Sequence, residues 1–246
     1  MVIITAVTVV LVLVTGNYAY QVLERQRGAS EFETVKRSFL AFDDAVRDVA
    51  WDRGSSRSAR FTVNYGRLEL VPNVSLVINV PEYSVSYNLS TERVRYSTST
   101  NYITFGNGYK SYILGDNKTV VSASTEGFGQ ALIEQTPDWV NILLNYRVRA
   151  LSTSVVNVTG EGIVNYVDIL IIKITATKWS TFIGDFDLIA KNIGITTNSS
   201  VIYDVNVNKQ CTVSVSLGGS TSSVTIGLVP GKVVFNLVVA DVLIST

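Results

Sequence analysis

Residues 1–28, which read MVIITAVTVVLVLVTGNYAYQVLERQRG, decide the fold, because no charged side chain occurs before Glu24. A β-strand usually has about 5–6 residues, and this uncharged run is about three times longer. A secretory signal peptide would carry a basic region before its apolar stretch, and that region is missing here. As an α-helix, about 22 residues reach roughly 33 Å, enough to cross a hydrocarbon core of about 30 Å. The run therefore predicts an apolar helix that must be covered by lipid or by other protein.

A second helical pattern follows directly in residues 29–54, which read ASEFETVKRSFLAFDDAVRDVAWDRG. Apolar residues recur there every three or four positions, as on one stripe of an amphipathic helix. The stripe consists of Phe32, Val35, Phe39, Phe42, Val46 and Val49. Gly54 stands where a left-handed residue ends a helix, and Gly28 is the candidate kink.

Two further expectations concern this helix. We expect the stripe to pack on the chain's own β domain, with Val46 and Val49 beneath it and Phe32 nearer to neighbouring subunits. The charged face would include the adjacent carboxylates Asp43 and Asp44, for which a solvated helix surface is the ordinary explanation.

Beyond Gly54 the pattern changes to alternating, β-branched runs such as RFTVNYGRLELV (60–71) and KVVFNLVVADVLI (232–244). Asn107-Gly108, between aromatic flanks, predicts a two-residue hairpin, and a short helical turn is expected within 126–139. The sequence therefore predicts an α+β fold: a helix over 1–53, apolar over 1–23 and amphipathic over 24–53, followed by a mostly antiparallel β-sandwich head over 54–246.

Composition argues against an enzyme. The chain has no histidine and one cysteine, so it cannot form a Ser-His-Asp triad or a zinc site with imidazole ligands. No Gly-rich phosphate loop occurs, and we assign Asp185 and Asp187 to a loop. Twenty basic residues balance twenty acidic ones, which leaves no net field to attract nucleic acid. We expect no catalytic residues, no metal and no cofactor.

The order of an uncharged segment, an amphipathic helix and a β domain resembles the mature form of archaeal type IV pilins and the related archaellins. Residues 39–70, FLAFDDAVRDVAWDRGSSRSARFTVNYGRLEL, are similar to the region around the helix end and first strand in these proteins. The likeness covers about the first seventy residues. Many bacterial type IV pilins have a glutamate at the fifth mature position, where this chain has Thr5; archaeal members commonly lack that acid.

The resemblance implies a precursor whose short basic leader is removed by a prepilin peptidase, so that Met1 would be the first mature residue. It also implies that the precursor waits in the cytoplasmic membrane until the pilus assembly machinery builds it into a helical homopolymer. The apolar helices would then form the core of an extracellular filament. We expect that core to include Met1, Val2, Ile3, Ile4, Val7, Val10, Leu11 and Val14.

These features predict a structural subunit of a pilus-like filament on the cell surface, used for adhesion. One alternative is an archaellin, built on the same plan but rotated for swimming. A second alternative is a membrane-anchored β-sandwich binding protein that does not polymerise.

Five N-x-[ST] sequences are candidate N-glycosylation sites, and sugars there would suit an exposed filament coat. They are Asn73, Asn88, Asn117, Asn157 and Asn198, of which Asn117 and Asn198 lie in turn-like surroundings. Cys211, in an alternating run, is expected to be a buried thiol. For the three tryptophans, Trp51, Trp139 and Trp179, packing in the core or at an interface is expected.

Overall fold

A computed structural model describes residues 2–176, 181–200, 203–204 and 209–246, with side chains of the N-terminal helix described from Val7 onward. One long helix, α1, spans Val2–Ala50 and continues without interruption through Gly28. Its 49 residues give a length of about 74 Å. The predicted end at residue 53 is three residues late, because residues 51–54 form a turn.

That turn leads the chain from the helix into the sheet. The backbone N–H of Asp52 donates to the carbonyl oxygen of Val49, and the N–H of Ser55 donates to that of Asp52, each at 3.1 Å. Gly54 has φ of +82°, the left-handed conformation that glycine adopts without steric cost. The first strand begins two residues later.

Thirteen strands follow in the described residues, with one 3₁₀ turn, Pro81–Tyr83, after the first of them. They are β1 (Ser56–Val80), β2 (Val85–Ser99), β3 (Lys110–Leu114), β4 (Val120–Val121), β5 (Gly129–Gln135), β6 (Trp139–Tyr146), β7 (Val148–Val158), β8 (Gly162–Ala176), β9 (Thr181–Ser199), β10 (Tyr203–Asp204), β11 (Gln210–Leu217), β12 (Ser220–Gly227) and β13 (Lys232–Ser245).

All these strands belong to one sheet, whose main path has the order β3-β5-β6-β2-β1-β9-β13-β8-β7-β4. Off this path, β10 pairs with β13, while β11 pairs with β1 and with β12. The pairs are antiparallel except for two parallel ones, β4 with β7 and β8 with β13. The fold is therefore of the α+β class, with a mostly antiparallel sheet.

The buried apolar residues form two clusters, and β1 contributes to both. The first cluster lies under α1 and contains Phe61 and Leu68 of β1. The second contains Leu76 and Ile78 of β1 together with residues of β7, β8, β11 and β13. Between the two parts of β1 the register with β2 shifts at Val71/Val74, around Asn73, whose φ is +55°. This bulge marks where the strand passes from one cluster to the other.

Three local expectations were wrong. Residues 107–108 form a turn, but no hairpin of adjacent strands: the N–H of Gly108 donates to the carbonyl of Gln135 at 3.1 Å, and the following strand, β3, pairs with β5. The helical turn expected within 126–139 is absent from this described segment, which contains strand β5 and the start of β6. Asp185 and Asp187 lie on β9, opposite β1, rather than in a loop.

Candidate functional site

The N-terminal part of α1 projects from the head without cover. Every described side chain from Val7 to Val22 is exposed, and so is Leu23. Val10 is 58% exposed and Leu13 is 67% exposed. By length and composition the helix could cross a membrane, and none of its most apolar stretch is buried. So large an apolar surface is not stable in water and must be covered by another phase or another molecule.

The residues predicted for a filament core lie on this projecting segment. Val7, Val10, Leu11 and Val14 are exposed in the single chain. Val2, Ile3 and Ile4 are helical, but their side chains lie outside the described part, as does Met1 altogether. The structure thus leaves the described members of this group available for contact.

A shallow apolar groove of about 350 Å³ runs along the projecting segment. It is lined by Thr8, Leu11, Val12, Thr15, Gly16 and Ala19. At Gly16, an added Cβ would meet nothing within 4 Å. Small residues on one side of an apolar helix let another helix approach closely, which is how helices associate where water gives no driving force.

The amphipathic half of α1 is docked on the chain's own sheet. All six stripe residues are at most 1% exposed and belong to the first core cluster. Phe39 meets Phe61 of β1 edge-on, with ring centroids 5.6 Å apart. The expectation for Phe32 was wrong: it packs on Tyr96 and Phe105 of its own head, with centroids 6.3 and 5.8 Å away.

The carboxylate of Glu31, on α1, is bound by the backbone of β1. Its oxygens accept hydrogen bonds from the backbone N–H groups of Asn64 at 2.6 Å, Tyr65 at 3.0 Å and Gly66 at 3.1 Å. The hydroxyl of Tyr96 donates to it at 3.0 Å. Burial, and then the nearby Glu31 carboxylate, raises the pKa of Tyr96. Sequence reasoning did not single out Glu31, because its hydrogen-bond partners lie on β1 and β2, far from it in the sequence.

The helix continues unbroken through Gly28, where the missing side chain lets the head approach. A Cβ at this position would lie 2.6 Å from the Cβ and 2.7 Å from the Cγ of Tyr102, closer than side chains pack. Tyr102 in turn meets Tyr65 edge-on, with centroids 5.3 Å apart. The loop after β2 is therefore seated directly on the helix backbone at Gly28.

Asp43 was expected to lie with Asp44 on a solvated helix face, and for Asp43 this was wrong. Its side chain is 3% exposed, whereas that of Asp44 is 65% exposed. Asp43 packs against Gly129 of β5, where any Cβ would collide with the carboxylate. Burial raises the pKa of Asp43 to about 6, although the Arg47 guanidinium, 3.0 Å away, lowers it.

The five candidate glycosylation asparagines are all exposed. Asn117 lies in a loop, but Asn198 lies on β9 rather than in a turn. The Thr119 hydroxyl of the Asn117 sequence is buried and donates to the carbonyl of Val215 at 2.6 Å. That of Ser200, in the Asn198 sequence, accepts from the N–H of Phe235 at 2.9 Å. In the folded head, the hydroxyls after Asn73, Asn88 and Asn157 are the more accessible ones.

The remaining singled-out side chains are packed rather than reactive. Cys211 is fully buried, and burial raises the pKa of its thiol to about 12, which keeps it protonated. Trp51 and Trp139 are each partly exposed; Trp51 contacts Phe128, and Arg67 lies over Trp139, 4.7 Å from its ring centroid. Trp179 lies outside the described residues.

Within the described residues, no three His, Cys, Asp or Glu side chains are grouped to hold a metal ion. No protein-family model, curated protein or solved structure matches the chain.

Proposed function

We propose that this chain is a structural subunit that polymerises through its N-terminal helix into an extracellular filament of the type IV pilus kind, used for adhesion. One observation carries the proposal: a single helix is docked on the head over one half and bare over the other, and the bare half is mostly apolar and carries no charged side chain up to Leu23. A filament core made of the same half from neighbouring subunits would cover it on every side.

Packing must drive the transfer of the helix from lipid to such a core. Lipid tails already satisfy the apolar surface, so hydrophobicity alone gains little. Valines at Val7, Val10 and Val14 lose little rotamer freedom when they pack. Thr8 and Thr15 can bond to carbonyls one turn back, so they are tolerable in an apolar core. The groove around Gly16 offers the close approach that makes packing favourable.

The contact between neighbouring subunits would be heterologous, and such contacts generate an open helical polymer when the rotation between subunits does not close a ring. In this arrangement the head faces solvent, on the cell surface, where N-linked glycans would shield it. The precursor would be held in the cytoplasmic membrane by the same helix and delivered by the pilus assembly machinery. We do not expect the filament to bind nucleic acid.

We also infer that the second half of the head is a sandwich. In the described residues β11 pairs only with β1 and β12, yet Val213 and Val215 share a buried cluster with Val233 and Phe235 of β13. Strands that share a core without sharing a ladder are typical of two packed layers.

The test uses two substitutions in the bare helix and one in the head. Val10→Asp introduces a charge, and Gly16→Leu fills the groove while keeping the helix apolar and able to enter lipid. Both variants should lose filaments in negative-stain images of material sheared from cells, with the head still folded. Ile183→Asp, at a position 68% exposed on β9, is the control and should keep them. Normal filaments from both helix variants would refute the proposal.

A membrane-anchored protein that does not polymerise is the second candidate, since the length and composition of α1 also suit a bilayer span. In that case sheared material contains no filaments of the wild-type chain, and the protein stays in the membrane fraction. Gly16→Leu would then leave its distribution unchanged.

A further inference from the structure

A cavity of about 280 Å³ lies between α1 and the loop after β2, where the bare helix meets the head. It is lined by Tyr20, Gln21, Glu24, Arg25, Asn101 and Tyr102. These residues include the first charged side chains of the chain. The cavity therefore sits at the boundary between the apolar and the water-compatible parts of the molecule.

The cavity contains one cation whose charge is not matched within the head. No ion pair or hydrogen bond joins Arg25 to another of the described residues, in contrast to Arg27, which lies 3.7 Å from Glu24. The carboxylate of Glu24 is therefore paired with Arg27 and not with Arg25. The side-chain amides of Gln21 and Asn101 add polar groups to the cavity wall. This set of groups suits an anion with several oxygen acceptors.

The position of the cavity along the helix favours one source for that anion. If the uncharged segment spans the hydrocarbon, Tyr20 near its end and Tyr102 beside it lie at the boundary with the lipid headgroups, where tyrosine is enriched. The close seat of Tyr102 on Gly28 fixes the loop against the helix, so the cavity has a rigid wall. Phosphate is the anion present at this level of a bilayer.

We propose that this cavity binds the phosphate of a membrane phospholipid headgroup, paired with Arg25 and flanked by Tyr20 and Tyr102. The inference rests on the membrane-held stage of the proposed function and not on polymerisation. A neighbouring subunit's apolar segment is a poorer occupant, because residues 1–23 contain no anionic side chain to pair with Arg25.

The experiment measures lipid retained by the whole chain after extraction into detergent, by native mass spectrometry. Samples come from bilayers of phosphatidylglycerol or of a galactosyl diacylglycerol, which has no phosphate. The wild-type chain should retain phosphatidylglycerol and not the galactolipid. Arg25→Gln should lower retention of phosphatidylglycerol at least tenfold, and Arg25→Lys should restore part of it.

Arg37→Gln is the matched control, since Arg37 is exposed on the same helix but away from the cavity. Its retention should equal that of the wild-type chain. Equal retention by Arg25→Gln, or equal retention of the galactolipid, would overturn the inference. Because retention is read on the single chain, this result is separate from the filament assay: lipid binding without filaments would refute polymerisation alone.

Discussion

At the scale of single residues, two carboxylates on one helix have opposite consequences for the docked state. Glu31 accepts hydrogen bonds from three backbone N–H groups of β1 and from the hydroxyl of the buried Tyr96. Asp43 is buried with one carboxylate oxygen that lacks a hydrogen-bond partner among the described residues. The first therefore stabilises the junction of helix and head, and the second costs free energy when ionised.

Glu31→Gln should destabilise the folded chain by about 2–3 kcal/mol, because an amide nitrogen would face N–H donors and leave some unsatisfied. Thermal unfolding of the detergent-solubilised subunit, followed by circular dichroism, measures this.

Glu33→Gln is the control for that change. Glu33 pairs with Lys36 at 3.0 Å on the exposed side of the same helix, where an ion pair is worth under about 1 kcal/mol. An equal loss of stability in Glu31→Gln and Glu33→Gln would contradict a stabilising role for the buried hydrogen bonds of Glu31.

Asp43 should make stability depend on pH. Its pKa rises from 3.8 to about 6 on folding, so the folded chain binds this proton more tightly than the unfolded chain. The resulting stabilisation is fully present below pH 3.8 and is lost as pH rises through about 6. The effect is on the order of 3 kcal/mol. Asp43→Asn should remove this part of the pH dependence in unfolding experiments between pH 3.5 and 7, a window set by about these two pKa values.

Asp44→Asn, at the exposed neighbour, should keep the wild-type profile. If Asp43→Asn and the wild-type chain show the same slope with pH, the carboxylate of Asp43 does not titrate as the buried geometry implies.

At the scale of elements, the helix shows how two glycines of one segment differ. Gly28 touches Tyr102, whereas Gly16 has open space around it. Gly28→Ala should therefore force the loop away and destabilise the chain by about 1–3 kcal/mol. Gly16→Ala should leave stability unchanged or raise it by up to about 1 kcal/mol, through helix propensity.

Unfolding midpoints of these two variants, compared under the same conditions, provide the measurement. A stable Gly28→Ala chain would mean that the helix and the loop after β2 are not in close contact.

Periodicity predicted the helix and its buried stripe, because i, i+3 and i+4 spacing is local information. It could not predict that Asp43 faces inward, since Gly129, which makes room for it, lies on β5. The Asn107-Gly108 pattern correctly predicted a turn but not the pairing of the strand that follows it. That strand, β3, pairs with β5 and not with the segment before the turn. The parallel pair of β8 and β13 likewise has no local signature.

At the scale of the whole molecule, the bare helix and the head are structurally separable. Deleting residues 1–23 removes side chains that are exposed wherever they are described, and leaves Glu31 and the stripe in place. The shortened chain should be soluble and monomeric, with an unfolding midpoint within about 3 °C of the full chain.

Sedimentation and thermal unfolding of the shortened chain test this. Loss of cooperative unfolding after the deletion would show that the head needs the bare segment to fold.

The division into an apolar helix and a β head was readable from the sequence, because the change from uncharged to amphipathic to alternating patterns is abrupt. Only part of the candidate site could be predicted from the sequence. The apolar surface itself follows from composition, whereas the cavity at Arg25 depends on a loop that the chain brings back from residues 101–102. No local pattern places that loop beside Gly28.

The division of the core into two clusters has an evolutionary consequence. In the described part of the chain, α1 contributes only to the first cluster, and the second is closed by β11, β12 and the later half of β1. Mutations in the second cluster can therefore accumulate without altering how α1 packs on the head. Related chains could therefore diversify the surface of the second cluster while they keep the same junction between α1 and the head.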